Sequence, residues 1–146
     1  PLRLVCKLFD KVFKEKWCHK NIIKLPCNIT NNNLKYFSFL KKIDISWNRT
    51  IRDKQLSYFK GVNTINLCYC DKITDKGLSY LSGVHTIDLS CCDQITDKGL
   101  SYLSGVHTIR LSYCNKIKDE GLSYLTRVHT INLSCCDRIT DLDFLI

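Results

Sequence analysis

Cysteine stands at Cys70, Cys92, Cys114 and Cys136 and histidine at His85, His107 and His129, each series advancing by 22 residues. Thiolates and imidazoles are the usual ligands of zinc, and cysteines in a secreted chain form disulfides. A zinc site needs about four donors converging on one point. A series with equal steps points its members the same way. The pairs Cys91-Cys92 and Cys135-Cys136 send neighbouring thiols to different sides, and no Cys-x-x-Cys pair exists. No metal and no cofactor are therefore expected. Enzyme signatures are missing as well: the chain has no glycine-rich phosphate loop, no His-Glu-x-x-His and no Gly-x-Ser-x-Gly. What remains is the chemistry of recognition, spread over repeated positions.

The elements that must position those residues follow from the same step. Copies of one phrase begin at Leu40, Val62, Val84, Val106 and Val128, which marks stacked supersecondary units. In the second copy the apolar positions are Val62, Ile65, Leu67, Cys70, Ile73, Leu78 and Leu81. Ile65-x-Leu67 alternates as a strand with one buried face does. Leu78 and Leu81, three apart, suit a short helix, with Thr74 or Asp75 capping its first free N–H groups. The Asp-Lys-Gly of each unit reads as a repeated turn. One such unit cannot bury its own apolar face, so neighbours must stack. The fold expected is a right-handed α/β solenoid with a parallel sheet on the concave side and short helices or helical turns on the convex side.

If positions four and six of each unit are buried, positions three, five and seven face the other way. Position five runs Asp44, Asn66, Asp88, Arg110, Asn132, changing charge within a constant frame. Position eight, at the strand's end, runs Trp47, Tyr69, Cys91, Tyr113, Cys135. Tryptophan, tyrosine and arginine are frequent energetic anchors of protein interfaces. The candidate target-binding residues are accordingly Asp44, Trp47, Asn66, Tyr69, Asp88, Arg110, Tyr113 and Asn132. Tyr58, Tyr80, Tyr102 and Tyr124 form a second column on the helical side, where packing is the simpler reading.

The formal charge of +8 is unevenly placed. Residues 1–42 hold ten Lys/Arg against Asp10 and Glu15, whereas residues 43–146 hold twelve of each sign. Neither nucleic acid nor membrane is expected as a partner of the neutral repeats. No apolar run reaches the length of a membrane span. The cysteines at position nine alternate with Asn48, which reads as a buried site where a small polar group meets turn backbone. Free thiols in a reducing compartment, cytoplasmic or nuclear, are expected. The chain lacks methionine even at position 1 and is read as a trimmed piece. Residues 1–17 form a basic amphipathic helix, residues 18–39 a degenerate capping unit, and residues 40–146 the repeats. The last repeat stops at Ile146 in its helical half, so either further repeats are missing or the exposed end layer meets another chain, self-association included.

The phrase carried by Leu89-Ser90, Cys92, Ile95-Thr96-Asp97, Gly99-Leu100 and Leu103 resembles the cysteine-containing class of leucine-rich repeats. The opening Leu2-Arg3-Leu4-Val5-Cys6-Lys7-Leu8-Phe9 is similar to the closing helix of an F-box. Together they resemble the substrate receptors of SCF-type ubiquitin ligases. The resemblance implies a target protein held on the concave face. It also implies a Skp-type adaptor and cullin reached through the F-box, with Val5, Leu8 and Phe9 at matching positions. The leading Leu-Pro and first helices of an F-box are absent from this chain. The alternative is a repeat scaffold unrelated to ubiquitin, its first helix serving as an end cap.

Overall fold

The computed structural model describes residues 22–142. The helix expected over residues 1–17, with Val5, Leu8 and Phe9, lies outside them, as do Asp143 and the three residues after it. Among the described residues six short strands form a single sheet in chain order: β1 (Ile23–Lys24), β2 (Lys42–Asp44), β3 (Thr64–Asn66), β4 (Thr86–Asp88), β5 (Thr108–Arg110) and β6 (Thr130–Asn132). Every pairing is parallel, and from β2 onward like positions face each other: Ile43 with Ile65, then Ile87, Ile109 and Ile131. Backbone bonds continue past each strand, as where Leu67 N donates to Asp88 O at 2.8 Å and Tyr69 N to Ser90 O at 3.0 Å.

Between strands the chain returns through one turn of α-helix, followed in the first four returns by one of 3-10 helix. The α-turns are α1 (Asn31–Leu34), α2 (Asp53–Leu56), α3 (Asp75–Leu78), α4 (Asp97–Leu100) and α5 (Asp119–Leu122). The Asp-Lys-Gly triplet opens α3 and α4, and Asp-Lys-Gln and Asp-Glu-Gly take its place in α2 and α5, so the repeated turn is the first turn of a helix. Leucine at position 17 and the apolar residue at position 20 point inward from these turns onto the isoleucines of the sheet. Ile65, Leu67, Cys70, Ile73, Leu78 and Leu81 are essentially without exposure. The stack loses this cover in its last described unit, where Val128, Ile131, Leu133 and Ile139 are only partly buried.

The capping expectation needs correction. Thr74 sits at the N-cap with extended backbone, but its side chain makes no bond to its own helix. Its hydroxyl instead donates to Asp53 Oδ2 of the preceding unit at 2.7 Å, and its N–H donates to Asp53 Oδ1 at 2.8 Å. Asp75 does the same for Thr96, and Asp119 for Thr140. Asp97 accepts from Lys118 N, where the following unit has no threonine. Each carboxylate therefore ties one unit to the next. Glycine at position 16 makes the room: a Cβ on Gly77 would lie 2.5 Å from Asp53 Oδ1. The first complete unit has Gln55 there, and the unit before it offers Asn31 in place of aspartate. Gln55 Oε1 turns back to accept from Arg52 N at 3.2 Å.

Cysteine at position nine locks the opposite corner. Cys92 and Cys114 each donate Sγ–H to a position-six carbonyl of the preceding unit, Leu67 O and Leu89 O, at 3.2 Å. Asn48 also ties its unit to the one before it, but through a different carbonyl, donating Nδ2 to Ile29 O at 3.3 Å and accepting from Thr50 N and Ile51 N at 3.0 Å. Burial pushes the Cys70 and Cys114 thiols up to about 12, and that of Cys92 upward as well. They stay protonated at neutral pH, as donors must.

Candidate recognition face

The side of the sheet opposite the core presents positions three and five, and the turn beyond each strand presents position eight. Threonines at position three (Thr64, Thr86, Thr108), with Asn66, Asp88 and Arg110, line a shallow hollow of about 130 Å³. The sequence places position three on this face but does not single out its threonines, because a column that is Thr in four of five units looks like scaffold.

Position five divides into two kinds of residue. Asp44, Asn66, Asp88 and Asn132 each use Oδ1 to accept the backbone N–H two residues on, at 2.9 Å. This side-chain turn shapes the bend that ends the strand, so part of the variation among these four has a structural origin. Arg110 offers no such oxygen. Its side chain is 63% exposed, and its one ion pair among the described residues runs to Asp88 at 3.7 Å. Alone in its column, it leaves the turn unserved and turns its guanidinium outward.

Position eight shows a second departure. Trp47, Tyr69, Cys91, Tyr113 and Cys135 all have left-handed backbone, with φ between 58° and 63°. The chain must reverse sharply there so that the next residue, at position nine, can turn into the core. A side chain beyond glycine costs on the order of 1 kcal/mol in this region, least for asparagine. Three of the five positions nevertheless carry large aromatics, with Trp47, Tyr69 and Tyr113 exposed by 50%, 37% and 53%.

These side chains form a continuous file. Trp47 and Tyr69 stack with ring centres 3.8 Å apart and planes 17° apart. Tyr69 is hydrogen-bonded to Cys91, and Tyr113 to Cys135, which raises both phenols above the ordinary tyrosine value. Cys68, at position seven beside this file, is pushed up to about 11 by burial first and then by Asp88, Cys91 and Asp44. Its thiol is a weak nucleophile at neutral pH.

The histidine column also stacks. His85 and His107 have ring centres 4.6 Å apart, and His107 and His129 4.1 Å apart. His129 Nδ1 donates to Arg127 O at 3.1 Å, while His85 and His107 Nδ1 lie 3.3 and 3.4 Å from the Oγ1 of Thr86 and Thr108. Partial burial and the neighbouring imidazoles lower the pKa of His107. Parallel rings aim their remaining nitrogens side by side and do not enclose an ion.

Parallel strands at constant register, short helical returns and a stacked core define a leucine-rich-repeat solenoid with its sheet on the concave side. Residues 62–82, 84–104 and 106–125 match the family model for the leucine-rich repeat. No curated protein matches the chain. Among solved structures, a chain in the crystal structure of the yeast Rad7–Elc1 complex superposes with a TM-score of 0.62 at 14% identity, covering 70% of this chain and 30% of that one. A chain in the crystal structure of the TLR13–ssRNA13 complex gives 0.66 at 19% identity, covering 92% of this chain and 20% of that one. The chain thus spans less than a third of either structure, and at these identities the likeness is one of fold.

Proposed function

We propose that this chain is a non-catalytic interaction module that holds a target protein on its concave face. It would work in a reducing compartment as the substrate-recognition part of an SCF-type ubiquitin ligase receptor. The observation that carries the binding role is the row of exposed aromatics in left-handed backbone beside Arg110. The fold asks for neither feature at these positions. Asn66 and Asn132 keep one side-chain atom each for a partner while their Oδ1 atoms hold the turns, and Asp88 directs its second oxygen to Arg110. Asp44 likewise keeps one oxygen, beside Trp47.

The ligase link rests on the F-box-like run from Leu2 to Phe9 and on the cysteine-containing form of the repeat. Val5, Leu8 and Phe9 are the residues proposed to meet a Skp-type adaptor. That a protein of this fold was crystallised as the Rad7–Elc1 complex fits a role in protein assembly and goes no further.

The test has two arms. Captured proteins should include a set lost from both Arg110→Glu and Tyr113→Ala while the repeats stay folded. If both variants retain every captured protein, the concave face is not the binding surface. The full-length protein should also bind a Skp-type adaptor directly; failure removes the ligase role and leaves the interaction module. Deleting residues 1–17 separates the scaffold reading, under which the repeats would melt or aggregate without their end cap.

A further inference from the structure

The file of side chains at position eight is missing a rung at its start. In the complete units, strand and helix both advance by 22 residues, as Ile43 to Ile65 and Asp53 to Asp75 do. Between the capping unit and the first complete unit the helices are also 22 apart, Asn31 to Asp53. Their strands are only 20 apart, since Ile23 pairs with Ile43. Two residues are therefore absent from the connection Leu25-Pro26-Cys27-Asn28-Ile29, at the turn that elsewhere carries the left-handed residue. Among the described residues, no left-handed position precedes Trp47.

The consequence falls on Trp47. One face of its indole is covered by Tyr69 at 3.8 Å. The other face, where the absent rung would stack, borders an open cavity of about 500 Å³ lined by Lys24, Leu25, Pro26, Cys27, Ser46 and Trp47. The side chain is half exposed although it is the largest apolar group on this edge, and its backbone sits at φ 63°. A tryptophan in unfavourable backbone, stacked on one side and open on the other, is a prepared half of an aromatic sandwich.

We propose that this slot takes an aromatic side chain from the target protein, which completes the file by stacking on Trp47 between the indole and the Leu25–Pro26–Cys27 wall. The proposal rests on the reading of the concave side as a protein-binding surface and names the anchor the target must carry. A protein side chain is favoured over a nucleobase by charge. Lys24 is the one cation lining the slot, so although residues 1–42 hold ten Lys/Arg against two acids, a nucleotide phosphate would meet a single lysine there rather than a basic groove. An aromatic is favoured over an aliphatic because a flat ring matches the indole face at stacking distance.

The experiment uses the whole chain and follows the Trp47 indole N–H, assigned by Trp47→Phe, and the Cys27 amide in proton–nitrogen correlation spectra. The probes are N-acetyl-L-tyrosinamide, N-acetyl-L-leucinamide and adenosine monophosphate. The tyrosine probe should move both signals in a saturable way, with a response to the leucine probe roughly three- to tenfold smaller. Cys27→Phe, a change at an exposed position that fills the slot from within, should abolish the response while leaving signals from distant repeats in place. An equal response to the leucine probe, no response to any probe, or tighter binding of adenosine monophosphate would each overturn the assignment. These outcomes are independent of target capture through Arg110 and Tyr113, so the slot and the wider binding role can fail separately.

Discussion

Two repeated columns run the length of this solenoid on opposite sides, and they obey different rules. The aspartates of the convex side, Asp53, Asp75, Asp97 and Asp119, are copied without change, and each carboxylate binds the start of the next helix. The position-eight residues of the concave edge share one backbone conformation, yet their side chains alternate between aromatic and thiol. The first column is uniform because every copy does the same mechanical job. The second is uniform only in its backbone, and its side chains are those a partner would need. Regularity marks the scaffold, and departure within a regular frame marks the candidate site.

The largest effect should come from breaking the aspartate column. Asp75→Ala removes the acceptor of both Thr96 N and Thr96 Oγ1. Bonds to charged groups in part-buried settings are worth about 1.5–3 kcal/mol, so a loss of about that size is expected in urea unfolding. Gly99→Ala should follow, at about 1–2 kcal/mol, because the new methyl group would collide with the Asp75 carboxylate. The helix preference for alanine over glycine offsets part of that cost. A Gly99→Ala protein as stable as the parent would show that the carboxylate moves aside freely.

Acid should separate the columns more gently. The pKa of His107 is lowered in the folded stack, so the unfolded chain binds the proton more readily. The stack therefore lowers stability as pH falls below about 6.5, the cost being complete once pH passes its depressed folded pKa and absent above 6.5. His107→Asn should flatten the melting temperature between pH 7.5 and pH 5, measured at matched ionic strength. Asp119 acts in a separate window. Its pKa is lowered by bonds from Thr140 N and Oγ1 and from Asp141 N, so its contribution is present above the ordinary aspartate value and lost as pH falls through the lowered one. Asp119→Asn should change the melting profile only on that far acid side.

The frame was open to reading in the sequence. The 22-residue step, the Ile-x-Leu strand and the Leu–Leu helical face give strand order, register and core, because each follows from burying one face of a repeated unit. The aspartate tie was hidden because its partner lies 21 residues away, and local capping rules look within one helix. The left-handed turn was hidden for the opposite reason: its usual markers are glycine and asparagine, and this chain puts Trp47, Tyr69 and Tyr113 there. The side-chain turns at Asp44, Asn66, Asp88 and Asn132 cannot be told from target-binding groups in the sequence, since an acceptor and a ligand-binding group look alike in one dimension. The slot beside Trp47 left a trace, two residues short of the repeat around Pro26, whose meaning needs the stacking of its neighbours.

Urea unfolding of Tyr113→Asn beside Asp75→Ala tests most directly whether the aromatics of the concave edge serve recognition rather than folding. Tyr113 is half exposed in backbone that asparagine adopts more readily. The expected result is a midpoint equal to or above that of the parent chain, with target capture lost, while Asp75→Ala shows the reverse. A drop in the Tyr113→Asn midpoint as large as that of Asp75→Ala would mean that the aromatic file holds the repeats together, and the distinction between scaffold and site would fail.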